Sequence, residues 1–103
     1  MKTKLRNRFF ELLNVVVERP AMFGIAKVED IQILILGYTA CSAICGDDLS
    51  DFTVPFRQYV NKHLDSTKDH DWSRLIRFYS ASDSHSIELF KKLYKEFIGE
   101  KES

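Results

Sequence analysis

Apolar residues in the first nineteen positions recur at intervals of three and four, at Leu5, Phe9, Leu12, Leu13, Val16 and Val17, while Lys4, Arg6, Arg8, Glu11 and Glu18 fill positions between them. That spacing predicts an amphipathic helix from Thr3 to Arg19, with Thr3 as a candidate cap. Pro20 ends it, because proline disfavours helical geometry in the residue before it and has no amide hydrogen to donate. The connector from Pro20 to Ala26 carries Met22, Phe23 and Ile25, too apolar for a loop lying in water. It is expected to fold onto the core, with Gly24 making the sharp turn.

The run from Ile31 to Cys45 contains no charge, and nothing else in the chain is so apolar. It is longer than a typical buried strand and shorter than the roughly 20 apolar residues that cross a bilayer. The reading is therefore a central helix from about Val28 to Cys45, with Glu29 and Asp30 in its first turn, where negative charge meets the positive end of the helix dipole. Ile31, Leu34, Ile35, Tyr38, Cys41 and Cys45 form one face, and Ile33, Leu36, Ala40 and Ile44 also call for cover, so the helix should be enclosed on more than one side. Gly37 costs up to about 1 kcal/mol relative to alanine inside a helix, which implies a neighbour packed closely against it. Gly46 is a natural terminator.

Phe52, Phe56, Tyr59, Val60 and Leu64 predict a third helix from about Val54 to Leu64, capped by Asp51 or Thr53, with Pro55 tolerated in its first turn. Polar segments flank it, Asp47 to Asp51 before and Asp65 to Asp71 after. Asp71 is placed to cap a short fourth helix, about Trp72 to Tyr79, lined by Trp72, Leu75, Ile76 and Tyr79. Ile76 to Ser80 alternates enough to suit a strand as well. Ser80 to His85 is dense in capping residues and should start a last helix with Ile87, Phe90, Leu93, Tyr94 and Phe97 inward, Glu88, Lys91, Lys92 and Lys95 outward, and Gly99 at its end. The pattern predicts an all-α single domain of about five helices packed around a central apolar helix.

Charge narrows the choice of partner. The 103 residues carry 15 basic and 15 acidic side chains, a balance that argues against a general phosphate binder, because counterion release rewards excess Lys and Arg. The balance is uneven along the chain. Met1 to Arg19 holds five basic and two acidic residues, net +3, whereas Asp47 to Asp71 sets six aspartates against Arg57, Lys62 and Lys68, net −3. The two cysteines, Cys41 and Cys45, share a helix face in poor geometry for a bridge and read as reduced core residues of a cytosolic protein. Glu11 and Asn14 interrupt any signal-peptide run, and a cytoplasmic protein without membrane attachment is expected.

Candidate chemistry is sparse. His63, Asp65, Asp69, His70 and Asp71 cluster, but their spacing matches no metal-ligand pattern, and they read as a solvated loop with a helix cap. Asp83, Ser84, His85 and Ser86 include every residue type of a hydrolase triad, yet neighbours at a helix start point in different directions and cannot align. Capping explains them better. No catalytic residue, metal or cofactor is assigned, and an enzyme is not expected. Lys2, Lys4, Arg6 and Arg8 beside Phe9 and Phe10 leave open an alternative, a small helical regulatory or nucleic-acid-binding domain using the basic first helix. Trp72, behind Asp69, His70 and Asp71, is either an interface anchor for a basic partner or a core residue.

Arg19-Pro-Ala-Met-Phe-Gly24, Val28-Glu-Asp-Ile31, Leu36-Gly-Tyr38, the Phe52 to Val60 segment, Trp72-Ser-Arg-Leu-Ile-Arg-Phe78 and Leu89-Phe-Lys-Lys-Leu-Tyr-Lys-Glu-Phe97 follow one another along nearly the whole chain. In that order they resemble small bacterial immunity proteins of polymorphic-toxin and contact-dependent growth-inhibition systems. The resemblance implies a protein that binds a cognate toxin domain stoichiometrically and occludes its active site or substrate groove. Many such toxins are nucleases with basic clefts, where an acidic patch competes with phosphate and speeds association. On that reading Asp47, Asp48, Asp51, Asp65, Asp69 and Asp71 contribute the recognition surface, with Tyr59 and Trp72 as candidate aromatic anchors.

Overall fold

A computed structural model describes residues 2–46, 49–64 and 71–102. Among these residues the chain is helical throughout, without a strand: α1 (Lys2–Glu18), a short 3-10 helix (Pro20–Phe23), α2 (Val28–Ile44), α3 (Ser50–His63), α4 (Trp72–Phe78) and α5 (Asp83–Glu102). The expected class, all-α with about five helices, is the observed one. No described helix is long and apolar enough to cross a membrane.

The core is an aromatic cluster where α1, α3, α4 and α5 meet. Phe9, Phe52, Phe56, Trp72, Phe90, Tyr94 and Phe97 are all buried. Phe52 stacks on Phe56 at 5.4 Å, and Phe56 meets Trp72 and Phe90 edge-on at 5.5 and 5.7 Å. Aromatic pairs in such offset and edge geometries contribute about 0.5–1.5 kcal/mol each beyond the area they bury. This cluster explains why α3 begins four residues earlier than the proline suggested. Leu49 and Phe52 are about 1% exposed and reach the core only if the helix starts at Ser50, so Pro55 lies inside it rather than in its first turn. Burial outweighs the backbone hydrogen bond that Pro55 forgoes.

Polar contacts set how the helices sit. Gly24, at φ 70°, closes the 3-10 helix, and the Ile25 N–H donates to the Pro20 carbonyl at 3.1 Å. Ile25 is buried there, but Met22 and Phe23 stay exposed, so only part of the connector folds onto the core. The first amide of α2 is capped from another helix: the Val28 N–H donates to Ser86 Oγ at 3.0 Å, and the Ser86 hydroxyl donates to the Asp83 carbonyl at 2.6 Å. Ser82 Oγ accepts from the His85 amide at 3.1 Å while His85 Nδ1 accepts from the Ala81 amide at 2.8 Å, a reciprocal cap at the start of α5. Serine and histidine here hold backbone.

Arg77 joins three helices. Its Nε and Nη2 donate to the two carboxylate oxygens of Glu29 at 2.9 and 2.8 Å, and Nη2 also reaches Asp83 at 2.9 Å. These hydrogen bonds hold the Glu29 carboxyl down at about 2 and push the Arg77 guanidinium upward. Lys95 and Lys91 donate to Glu18 at 2.6 and 3.3 Å, tying α1 to α5 and lowering the Glu18 carboxyl.

Two expectations about helix ends and enclosure fail. Helix α5 continues through Gly99 to Glu102, since one glycine costs only about 1 kcal/mol and the helix already buries Phe97 beside it. Helix α2 is not enclosed. Ile31 and Ile35 are buried and Leu34 and Tyr38 pack against the core, but Ile33, Leu36, Ala40, Cys41, Ile44 and Cys45 are exposed, and nothing lies within 4 Å of where a Cβ on Gly37 would stand. The two cysteines are free and exposed rather than core residues.

Candidate functional site

At the end of the molecule where α3 finishes, Tyr59 and His63 lie one helical turn apart and stack at 3.9 Å with 26° between their rings. Spacing four on a helix puts both rings on one side, and His63 is held by Nδ1, whose hydrogen points at the Tyr59 carbonyl oxygen 3.1 Å away. Phe97 supports Tyr59 edge-on from α5 at 5.3 Å. Glu96, next to Phe97 in sequence, and Glu100, one helical turn beyond Glu96, bring carboxylates from α5 to the Tyr59 hydroxyl. Tyr59, His63, Glu96, Gly99 and Glu100 thus line an open hollow of about 410 Å3 that combines two aromatic rings with two carboxylates.

Electrostatics in the hollow favour a cation. Burial, and then the carboxylates of Glu100 and Glu96 beside it, push the Tyr59 phenol up to about 12, so the ring stays neutral at physiological pH. A neutral ring face with two carboxylates beside it offers an ammonium or guanidinium group both a cation–π contact and charge-assisted hydrogen bonds. Gly99 leaves room at the edge, as no atom lies within 4 Å of the place its Cβ would take.

The sequence-predicted site residues divide. Tyr59 is half-buried at the base of this hollow. Asp65 and Asp69, in the segment that follows α3 directly in sequence, lie outside the described residues, as do Asp47 and Asp48. Asp51 is exposed in the first turn of α3. Asp71 is exposed but does not cap α4 through its side chain. Its carboxylate accepts from Gln32 Nε2 at 2.7 and 2.8 Å and from the Ser73 hydroxyl at 2.6 Å, and Ser73 also contacts Gln32 Oε1. Asp71 therefore sits by the first turns of α2, whereas Asp51 lies in the first turn of α3. Trp72 is 6% exposed, between Phe56 and Phe90, and takes the core role rather than that of a docking anchor.

Glu96 and Glu100 escaped the sequence reading. Their spacing of four puts both on one face of α5, but which face meets Tyr59 depends on how α5 crosses α3 and is not a local property of the sequence. Among the described residues no cluster of His, Cys, Asp and Glu is arranged to hold a metal ion.

No family model matches the chain, and neither a curated protein nor a solved structure matches it.

Proposed function

We propose that this chain is an immunity protein that binds and neutralises a cognate bacterial toxin domain, a nuclease with a basic substrate groove, by stoichiometric occlusion. The observation that carries the reading is the acidic hollow at Tyr59, which adjoins in sequence the aspartate-rich segment 65–71 of a chain whose net charge is zero. The order of motifs shared with immunity proteins supports the same reading from the sequence side. A lysine or arginine of the toxin that ordinarily grips phosphate enters the hollow, its charge between Glu96 and Glu100 and its stem along the Tyr59 and His63 rings. Asp65 and Asp69, close behind His63 in sequence, add negative charge for the rest of the groove. Occupied in this way, the toxin cannot admit nucleic acid.

The mechanism is competition by charge and shape, so it needs no catalytic group, metal or cofactor. Complementary charge raises the association rate and makes it fall with salt. The test is binding of the toxin domain encoded next to this chain to wild type, to Glu96→Gln with Glu100→Gln, and to a variant with Asp65 and Asp69 changed to Asn. Each variant should bind at least about tenfold more weakly, as for the loss of 1.4 kcal/mol or more of charge-pair energy. Equal binding by all three would overturn the placement of the site.

A further inference from the structure

The open side of α2 is a second surface, and the sequence pattern on it identifies its occupant. Ile33, Leu36, Gly37, Ala40, Cys41 and Ile44 follow one another at steps of three, one, three, one and three, the stripe of a single helix face, and all are exposed. Ile33 is 68% exposed, Leu36 59% and Ile44 88%. No charged residue occurs from Ile31 to Gly46, so nothing on the stripe selects a charged partner. An uncharged apolar stripe flanked by Met22 and Phe23, also exposed, amounts to several hundred Å2, the scale at which exposed apolar surface marks an interaction site. A standard interface buries on the order of 800 Å2 per partner, of which a stripe of this size would supply the apolar centre.

The stripe is complementary to itself. A twofold axis between Tyr38 and Thr39 exchanges position 37 with 40, 36 with 41 and 33 with 44. Two antiparallel copies then cross at Gly37 and Ala40, where small side chains let backbones approach, with larger residues at either end. The ends also match in shape. Ile44 projects from α2, and at the opposite end Phe23, Gly24, Ile25, Asp30, Ile33 and Leu34 line a groove of about 240 Å3. The same operation that pairs Ile33 with Ile44 brings the projecting isoleucine of each copy to the groove of the other. Asp30 at the groove edge is already engaged, its Oδ2 accepting from the Ala26 amide at 2.9 Å. The close neighbour that a glycine in mid-helix implies, missing within the chain, is then Ala40 of the second copy.

We infer that α2 is the interface of a symmetric, antiparallel homodimer. The toxin-facing hollow is built from α3 and α5, so each copy keeps its own.

Sedimentation velocity of the full chain from about 1 to 200 µM, a range in which a weak to moderate dimer dissociates, should show the 12.0 kDa monomer giving way to a species of twice that mass. Ala40→Arg, at an exposed position, should keep the circular dichroism spectrum and melting temperature of the monomer while weakening association at least about 100-fold. In a Cys45→Ser background, alkylation of Cys41 should slow about tenfold or more as concentration rises, because dimerisation covers that thiol. A chain that stays monomeric at the highest concentration overturns the inference. So does a dimer that survives Ala40→Arg and leaves Cys41 equally reactive, which would join through another face. Protection of Cys41 by the toxin domain alone would assign the stripe to the toxin and likewise overturn it. None of these results depends on Glu96 or Glu100, so failure here and failure of the toxin reading are separately visible.

Discussion

Ser86→Ala should be far more damaging than its size suggests. Ser86 is fully buried on α5 and its Oγ is the acceptor for the amide of Val28, the first residue of α2, which is also fully buried. Removing one hydroxyl leaves that amide without a partner where water cannot reach. Loss of an N-terminal cap costs about 1 kcal/mol, and an orphaned buried donor about 1–3 kcal/mol. In a domain of about 100 residues each kcal/mol moves the melting temperature by about 4–8 °C, so a fall of about 5–15 °C is expected. Ser84→Ala, two residues away and exposed, is the control and should stay within about 0.5 kcal/mol of wild type. Thermal and urea unfolding followed by circular dichroism, with Trp72 fluorescence as a second probe, would measure both. If Ser86→Ala melts within about 2 °C of wild type, α2 is not capped from α5, and the account of how these helices are fixed together is wrong.

Other outcomes follow from the same contacts. Glu29, held by Arg77 at about 2, is ionised in the folded chain well below the pH at which it protonates when unfolded. Its contribution is complete above about 4.5 and lost as pH falls toward 2, so urea midpoints of wild type should drop across that window more steeply than those of Glu29→Gln. Because Glu29 is partly exposed, 0.5 M salt should narrow the difference between the two proteins. Phe56→Ala opens the centre of the aromatic cluster and should destabilise by about 3–5 kcal/mol, enough to unfold much of the population at 37 °C. Gly99→Ala replaces the one interior glycine of α5 where nothing stands in the way of a methyl group, and should raise stability by about 0.5–1 kcal/mol in the same unfolding assay.

Much of the fold was readable because helix periodicity is a local property. The inward sets of α1, α4 and α5 largely follow their spacing: Phe9, Leu13, Val16 and Val17, then Trp72, Leu75 and Ile76, then Ile87, Phe90, Leu93, Tyr94 and Phe97 are all buried, whereas Tyr79, expected on the inner side of α4, is exposed just past its end. The start of α3 was misplaced because Pro55 is a local signal and the burial of Phe52 against Phe9 is not. Helix α2 was misread for a related reason. Hydropathy states that Ile33, Leu36 and Ile44 avoid water, but not whether the cover comes from the same chain. Of the hollow's residues, Tyr59 is visible in the sequence as an aromatic near acidic residues, whereas its carboxylate partners Glu96 and Glu100 arrive from 37 and 41 positions further along and depend on how α5 crosses α3. Trp72 shows the limit of the aromatic-among-acids argument, since its neighbours in sequence are charged and its neighbours in space are Phe56 and Phe90.

Titration calorimetry of the purified chain against the proposed partner, a nuclease toxin domain, at low and high salt measures the proposed inhibition directly. One copy of the chain should bind per toxin domain, with nanomolar affinity at low salt, at least about tenfold weaker at 0.5 M salt, and with toxin activity abolished at the equivalence point. No heat of binding at micromolar concentrations, or binding that leaves the toxin fully active, would contradict the account.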